Sequence, residues 1–269
     1  MHTINTSRRS VMALAAGAAL AVGTATQAQS QANGAQKTFV LVHGAWHGGW
    51  CWRRTTDILR KAGHRAFTPT LTGLGERSHL LSKDINLATH VADVVDLIKW
   101  ERLQDVVLVG HSYAGQVIND VAHALGPTIS SIVFLDAFVP ENGESTAQSG
   151  PQTVRDRLAK AKADGVLGTQ PPPASFFKVA DPKDREWIDS LCTPQPVQCS
   201  LDGTQPSAAR ERSARKTYIR AKGWDLPTYD AALLRAKANP TWKTYEVPCG
   251  HEVMIEMPAR LAEILIEVA

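Results

Sequence analysis

One serine in this 269-residue chain stands where a strand-forming run meets a helix-forming one. Val106-Val107-Leu108-Val109 is continuously β-branched or aliphatic, Gly110-His111-Ser112-Tyr113-Ala114-Gly115 follows, and Val117, Ile118, Val121 and Leu125 then recur at helical spacing. A serine at such a corner sits on a tight turn that lifts its hydroxyl clear of the sheet. Small neighbours are needed there because the two backbones approach closely. This is the nucleophile-elbow pattern G-x-S-x-G, with Ala114 in the second glycine's place and Gly115 just after it. The pattern alone is common, but inside a strand–turn–helix it is specific. Ser112 is the expected nucleophile of an acyl-transfer site.

Acyl transfer also needs hydrogen-bond donors where the carbonyl oxygen becomes negative. The residue after the nucleophile supplies one backbone N–H, here that of Tyr113. The second is expected from the glycine-rich loop His43-Gly44-Ala45-Trp46-His47-Gly48-Gly49-Trp50, with Ala45 as donor. His43 and His47 are read as structural, since this loop works through its backbone. Of nine histidines, His251 alone lies in a short loop between a strand-like and a helix-like run, preceded by Gly250, and it is the expected general base. His111 is expected to pack behind the elbow. Two carboxylates could orient the base: Asp136, ending the run Ile132-Val133-Phe134-Leu135, and Asp225, 26 residues before His251.

The elements that must position these groups are short apolar runs at 38–42, 66–71, 106–109, 132–135, 216–219 and 242–247, separated by helical patterns. Such alternation predicts an α/β fold, a mostly parallel sheet of about six strands flanked by helices. Continuous rather than alternating apolar character suits strands buried on both faces. Leu87, Val91, Val94, Val95 and Ile98 mark one helix, and Pro258 opens the last. From about 140 to 215 no core strand is evident, while Pro171-Pro172-Pro173 and short helical pieces are. An insertion of that length is usually functional, and it is read as a cap over the site.

Arg8-Arg9, a charge-free apolar run over 11–22 and Thr26-Gln27-Ala28 have the layout of a signal peptide of the twin-arginine kind, cut after Ala28. The run is too short to span a bilayer. The expected mature protein is therefore a single domain over 29–269, periplasmic or secreted. Its removal takes two arginines and no acids, lowering the formal charge from +3 to +1. A near-neutral chain gives no electrostatic case for nucleic acid or an anionic membrane. Apolar residues at 43% suffice for a substantial core. Four cysteines show no metal-ligand spacing; Cys192 and Cys199 could form a disulfide after export or stay as thiols.

Phe39-Val40-Leu41-Val42-His43-Gly44-Ala45-Trp46-His47-Gly48-Gly49-Trp50 and the elbow over 110–115 resemble the plant methyl-salicylate esterase and hydroxynitrile lyase group of the α/β-hydrolase superfamily. Thr70-Leu71-Thr72-Gly73-Leu74-Gly75-Glu76-Arg77 and Gly250-His251-Glu252-Val253-Met254 are more similar to its bacterial members, which include ester and carbamate hydrolases. The resemblance runs over most of 38–269 and is weakest in the cap. It implies an α/β-hydrolase fold and a serine esterase acting on small-molecule esters, with no metal or organic cofactor. Carbamates, amides and lactones are the alternatives. A hydroxynitrile lyase would carry a lysine and a threonine where Glu252 and Gly44 stand, and a non-catalytic receptor on this fold is the other rival. In the plant enzymes the acid follows the strand after the cap, and Asp225 sits slightly out of that place. Leu135-Asp136-Ala137-Phe138-Val139-Pro140 resembles the acid-bearing segment of haloalkane dehalogenases, so Asp136 is the expected acid.

Overall fold

The protein is seen in a computed structural model that describes residues 35–141 and 143–269. The expected signal segment lies outside the described residues. The order is β1 (Thr38–Val42), α1 (Arg53–Lys61), β2 (Arg65–Phe67), α2 (Leu87–Trp100), β3 (Val106–His111), α3 (Ala114–Leu125) and β4 (Ile129–Leu135). An inserted segment holds α4 (Thr146–Ser149), α5 (Gln152–Ala163), β5 (Gly168–Thr169), α6 (Pro182–Leu191), β6 (Gln195–Pro196), α7 (Val197–Leu201) and α8 (Ala208–Glu211). β7 (Arg215–Ala221), α9 (Pro227–Ala238), β8 (Trp242–Val247), α10 (Val253–Glu256) and α11 (Pro258–Glu267) complete the chain.

Six strands form one sheet in the order β2-β1-β3-β4-β7-β8, every pair parallel. The chain turns from β1 to β2 on one side, then returns to β3 on the other. Ligands in such sheets bind beyond the carboxyl ends of the strands at that switch point, which here is where the loop after β1 and the elbow after β3 meet. Alternate side chains feed two cores. Val40, Val42, Leu108, Ile132 and Phe134 pack with α2, α3 and α9, while Phe39, Leu41, Val107, Val109 and Val133 pack with residues of α1 and α11. Burial on both faces explains why the strands read as unbroken apolar runs. Asn86 caps α2 in a reciprocal box with Thr89, each side chain serving the other's backbone N–H.

One expected strand is shorter than its apolar pattern. The run over 66–71 keeps strand geometry only to Phe67. Pro69 has no N–H to give to a ladder, and beyond it the chain follows the site, where Leu71 N–H donates to a histidine ring instead.

The insertion joins the main sheet at no point. Its β5 and β6 pair only with each other, antiparallel, and Ala147, Leu158 and Val197 make a small core of their own. It is pinned to the loop after β1: Thr193 N–H donates to Trp46 O at 2.8 Å and Trp46 Nε1–H to Thr169 O at 3.0 Å. All four cysteines are free thiols. Cys192 Sγ lies 3.9 Å from His47 Nε2 and Cys199 Sγ 3.8 Å from His90 Nε2. Among the described residues, no helix is long and apolar enough to cross a membrane.

Candidate active site

Ser112 follows the last residue of β3 with φ 55, a left-handed backbone that non-glycine residues rarely adopt. Its N–H is held by Leu135 O at 3.3 Å, and its own carbonyl accepts from Gly115 N and Phe138 N, each at 3.1 Å. The turn closes only because residue 115 has no side chain: a Cβ there would collide with Phe138 O. Gly44 fills the matching role in the facing loop, where a Cβ would come within 2.9 Å of Ser112 Cβ. Strain of this kind persists where surrounding contacts over-determine the backbone, as at functional sites.

Asp136 ends β4 in the same manner, with φ 39 and its N–H on Ile219 O at 2.6 Å. Its side chain is wholly buried, and among the described residues both its oxygens face hydrogen-bond donors. Oδ1 accepts from Arg220 Nη1 at 2.8 Å and from Ala221 N at 3.0 Å, while Oδ2 lies 2.6 Å from His251 Nδ1. Burial raises the Asp136 pKa to about 6, with Arg220 and the Ala221 N–H pulling the other way. Asp225, the other carboxylate expected near the base, is exposed and makes no hydrogen bond or ion pair to His251.

His251 is held from several sides. Its N–H donates to Phe177 O of the insertion, and its carbonyl accepts from His111 Nε2 at 3.0 Å. Trp224 and Phe177 flank the ring at 4.2 and 5.4 Å between centroids. Because an ionised Asp136 can only accept, His251 Nδ1 carries the proton and Nε2 presents its lone pair. Burial, with the charges of His47 and Arg220, drives the His251 pKa well below the usual range. Neutral imidazole is the form a general base requires. Among the described residues, the hydrogen-bond contact of Ser112 Oγ is the Tyr229 hydroxyl at 3.5 Å, and its bond to His251 Nε2 is not closed. Such bonds commonly tighten only when substrate arrives.

The two expected oxyanion donors, the N–H groups of Ala45 and Tyr113, are unengaged among the described residues. A buried histidine fixes the peptide that carries the first, and another holds the side chain of the residue that carries the second. Leu71 N–H donates to His43 Nε2 at 3.0 Å, so the His43 proton sits on Nδ1 and is given to Gly44 O at 2.8 Å. That carbonyl and the Ala45 N–H are opposite ends of one planar peptide, so fixing one fixes the other. Burial holds the His43 pKa down at about 3, which keeps this tautomer in place. His90 gives Nε2–H to Thr72 O and accepts the Tyr113 hydroxyl on Nδ1, both at 2.9 Å, which anchors the Tyr113 side chain.

Behind these groups lies a buried pair. His47 bonds Ala45 O through Nδ1 at 2.8 Å and faces the carboxylate of Glu252 through Nε2 at 3.5 Å. Burial opposes a charged His47, but Glu252, aided by Cys192, outweighs it and pushes the pKa up to about 10. The loop after β1 and the loop after β8 are thereby tied together under the site. His111, Glu252 and His251 offer ligand atoms within 4.8 Å of one another. His251 Nδ1 is committed to Asp136 and His111 Nε2 to a carbonyl, while His111 Nδ1 and both Glu252 carboxylate oxygens have no hydrogen-bond partner among the described residues.

Comparison with known proteins gives the family. A profile described as the alpha/beta hydrolase family matches residues 39–264. The chain is 43% identical to the carbendazim hydrolyzing esterase of Nocardioides sp. (strain SG-4G), over 84% of this chain and 97% of that one. It is 26% identical to methylesterase 4 of Arabidopsis thaliana, over 87% and 97% of the two chains. Two longer chloroplastic proteins of the same plant are matched over 56% of their length. Among solved structures, an extracellular alpha/beta-hydrolase from a Paenibacillus species superposes with a TM-score of 0.76 at 25% identity, covering 87% of this chain and 99% of that one. That protein is described as sharing structural and functional homology with tobacco salicylic acid binding protein 2. With nearly the whole described chain matched by the profile, and a relative at 43% identity matched over 97% of its length, this protein belongs to the alpha/beta hydrolase family.

Proposed function

We propose that this hydrolase cleaves carboxylic esters through an acyl-enzyme on Ser112. Ester hydrolysis is supported by the relatives named for it, and the roles of individual residues are inferred from their placement. His251 Nε2 takes the Ser112 Oγ proton as Oγ attacks the carbonyl carbon, while Nδ1–H stays bonded to Asp136. The carbonyl π electrons move to oxygen, and the N–H groups of Ala45 and Tyr113 bind the anion. The carbon–alkoxy bond then breaks, and the departing oxygen takes the proton from His251. Water, deprotonated in turn by His251, frees the acid and restores Ser112.

The observation that carries the reading is the 2.6 Å contact between buried Asp136 and His251, beside a serine held at φ 55. Its test is Ser112→Ala on a short-chain ester. Loss of a triad nucleophile typically costs several orders of magnitude in turnover, and survival of more than a few per cent would remove the serine from the mechanism.

A second reading, carbamate hydrolysis by the same residues, is favoured by the relative that hydrolyses carbendazim, which belongs in any substrate panel beside simple esters. The inserted segment is proposed to act as the cap that sets acyl and alcohol preference. Phe176 and Phe177 lie on it, and Phe177 stacks near His251. The proposal extends to place of action: residues 1–28 direct export, so the native host's exported protein begins near Gln29. A full-length product in the cytoplasm would contradict that.

A further inference from the structure

Tyr229, in the first turn of α9, has a hydroxyl with one hydrogen-bond contact among the described residues, Ser112 Oγ at 3.5 Å. The residue is 6% exposed, and buried phenol hydroxyls usually find a firm partner. Its ring cannot wander. Trp224 meets it edge-on at 6.0 Å, the His251 ring lies 6.0 Å away, and the Tyr218 hydroxyl holds its backbone carbonyl at 3.3 Å. Burial pushes the phenol pKa up, so the group remains a donor wherever neutral His251 can work.

Which substrate atom it meets follows from topology. The oxyanion loop comes from β1, on one side of β3, and claims the carbonyl oxygen. Tyr229 follows β7 and His251 follows β8, both on the other side of β3. The leaving oxygen must face His251 to receive its proton, so it faces Tyr229 as well. Once an ester carbon is bonded to Ser112 Oγ, its substituent oxygens lie within reach of a hydroxyl already in contact with Oγ.

We propose that Tyr229 is a catalytic residue that donates a hydrogen bond to the leaving oxygen. This rests on the Ser112 reading above. As the carbon–oxygen bond breaks, its electron pair passes to the leaving oxygen, and His251 Nε2–H supplies the proton that makes the alcohol. Tyr229 keeps its own proton and stabilises the charge that builds before that proton arrives. Its contribution grows with the basicity of the leaving group, because a nitrophenolate needs little help and an alkoxide needs much.

Tyr229→Phe removes only an oxygen whose one hydrogen-bond contact among the described residues is Ser112, so the fold is retained. The measurement is kcat/KM for the methyl and p-nitrophenyl esters of one acid, with melting curves as a check on folding. A hydrogen bond to a developing charge predicts a loss of about ten- to a hundredfold for the methyl ester. For the p-nitrophenyl ester the predicted loss is below about threefold, well under one tenfold step in the barrier. Equal losses on both esters, or no loss on the methyl ester, would overturn the proposal. Ser112→Ala on the same pair separates the two ideas: turnover surviving there defeats the serine mechanism, whereas an even loss in Tyr229→Phe defeats only the tyrosine.

Discussion

The neighbouring strands β4 and β7 run parallel and in register, Leu135 opposite Ile219, yet their carboxyl ends are built for opposite purposes. β4 stops abruptly. Asp136 takes a left-handed backbone at φ 39, and its carboxylate turns into a space with no access to water. β7 continues in strand geometry to Ala221 and leaves gradually, its turn pinned by Lys222 N–H on Val247 O and Gly223 N–H on Cys249 O. Asp225 lies beyond that turn and is exposed. The end of β7 contributes the opposite charge instead: Arg220, 1% exposed, gives Nη1 to Asp136, Nη2 to Trp224 O and Nε to Asp230. One strand end presents an anion and its neighbour clamps it. The lesson is that the reach of a carboxylate is decided by how its strand ends, not by how near it lies in sequence to its partner.

The sharpest way to break this contrast is to neutralise each aspartate in turn. An amide at position 136 keeps the shape but stabilises the wrong imidazole tautomer, and in a well-studied serine protease that change costs on the order of 10⁴ in turnover. Asp136→Asn is expected to approach that loss, whereas Asp225→Asn changes turnover by less than about tenfold, roughly 1.4 kcal/mol of barrier. Steady-state rates on folded variants decide it. The reverse ranking would hand the role to Asp225.

Removing the clamp is expected to have a smaller and different effect. Arg220 lowers the pKa of a carboxylate that burial has raised to about 6. In Arg220→Gln that pull is gone, so the Asp136 pKa rises further. The proposed mechanism needs Asp136 ionised, so activity is expected to be lost as pH falls through that pKa. The acid limb of kcat/KM, near or below pH 6 in the parent from the joint titration of Asp136 and His251, therefore moves to higher pH in the variant. Breaking a buried ion pair also destabilises by about 3–5 kcal/mol, visible as a lower melting temperature. An unmoved acid limb would mean that Arg220 is only structural. Asp230 holds the outer side of the same guanidinium but is 38% exposed at its side chain. Solvent weakens such pairs to about 0–1 kcal/mol, so Asp230→Asn is expected to alter turnover by less than about threefold, the mildest change of the series.

The same contrast explains what could be read from the amino-acid order. The sheet and its helices were legible because apolar runs and helical spacing are local. Ser112 and His251 stood out because each lies at a junction between two such patterns. The apolar pattern over 66–71 outruns the strand, because Pro69 cannot extend the ladder that its apolar neighbours suggest. Asp136 and Asp225 could not be ranked by local pattern, since both follow strands and the difference lies in backbone turns fixed by tertiary contacts. Local pattern gives Arg220, Trp224 and Tyr229 no role, because their partners are decided by how β7 and α9 pack and nothing in their immediate neighbours reports it. His43, read as structural, fixes the peptide whose N–H is the expected donor. The signal was there in part: a histidine directly before the glycine of an oxyanion loop has both ring nitrogens placed beside backbone groups.

The central claim is that Ser112 carries the acyl group, and intact-protein mass spectrometry tests it most directly. Protein is mixed with excess p-nitrophenyl ester and quenched in acid within the first turnovers, then digested and mapped. The account predicts a mass increase of one acyl group, located on the peptide containing Ser112, with none in Ser112→Ala and a longer-lived adduct in Asp136→Asn. An acyl group found on another residue, or rapid turnover by Ser112→Ala without any adduct, would contradict it.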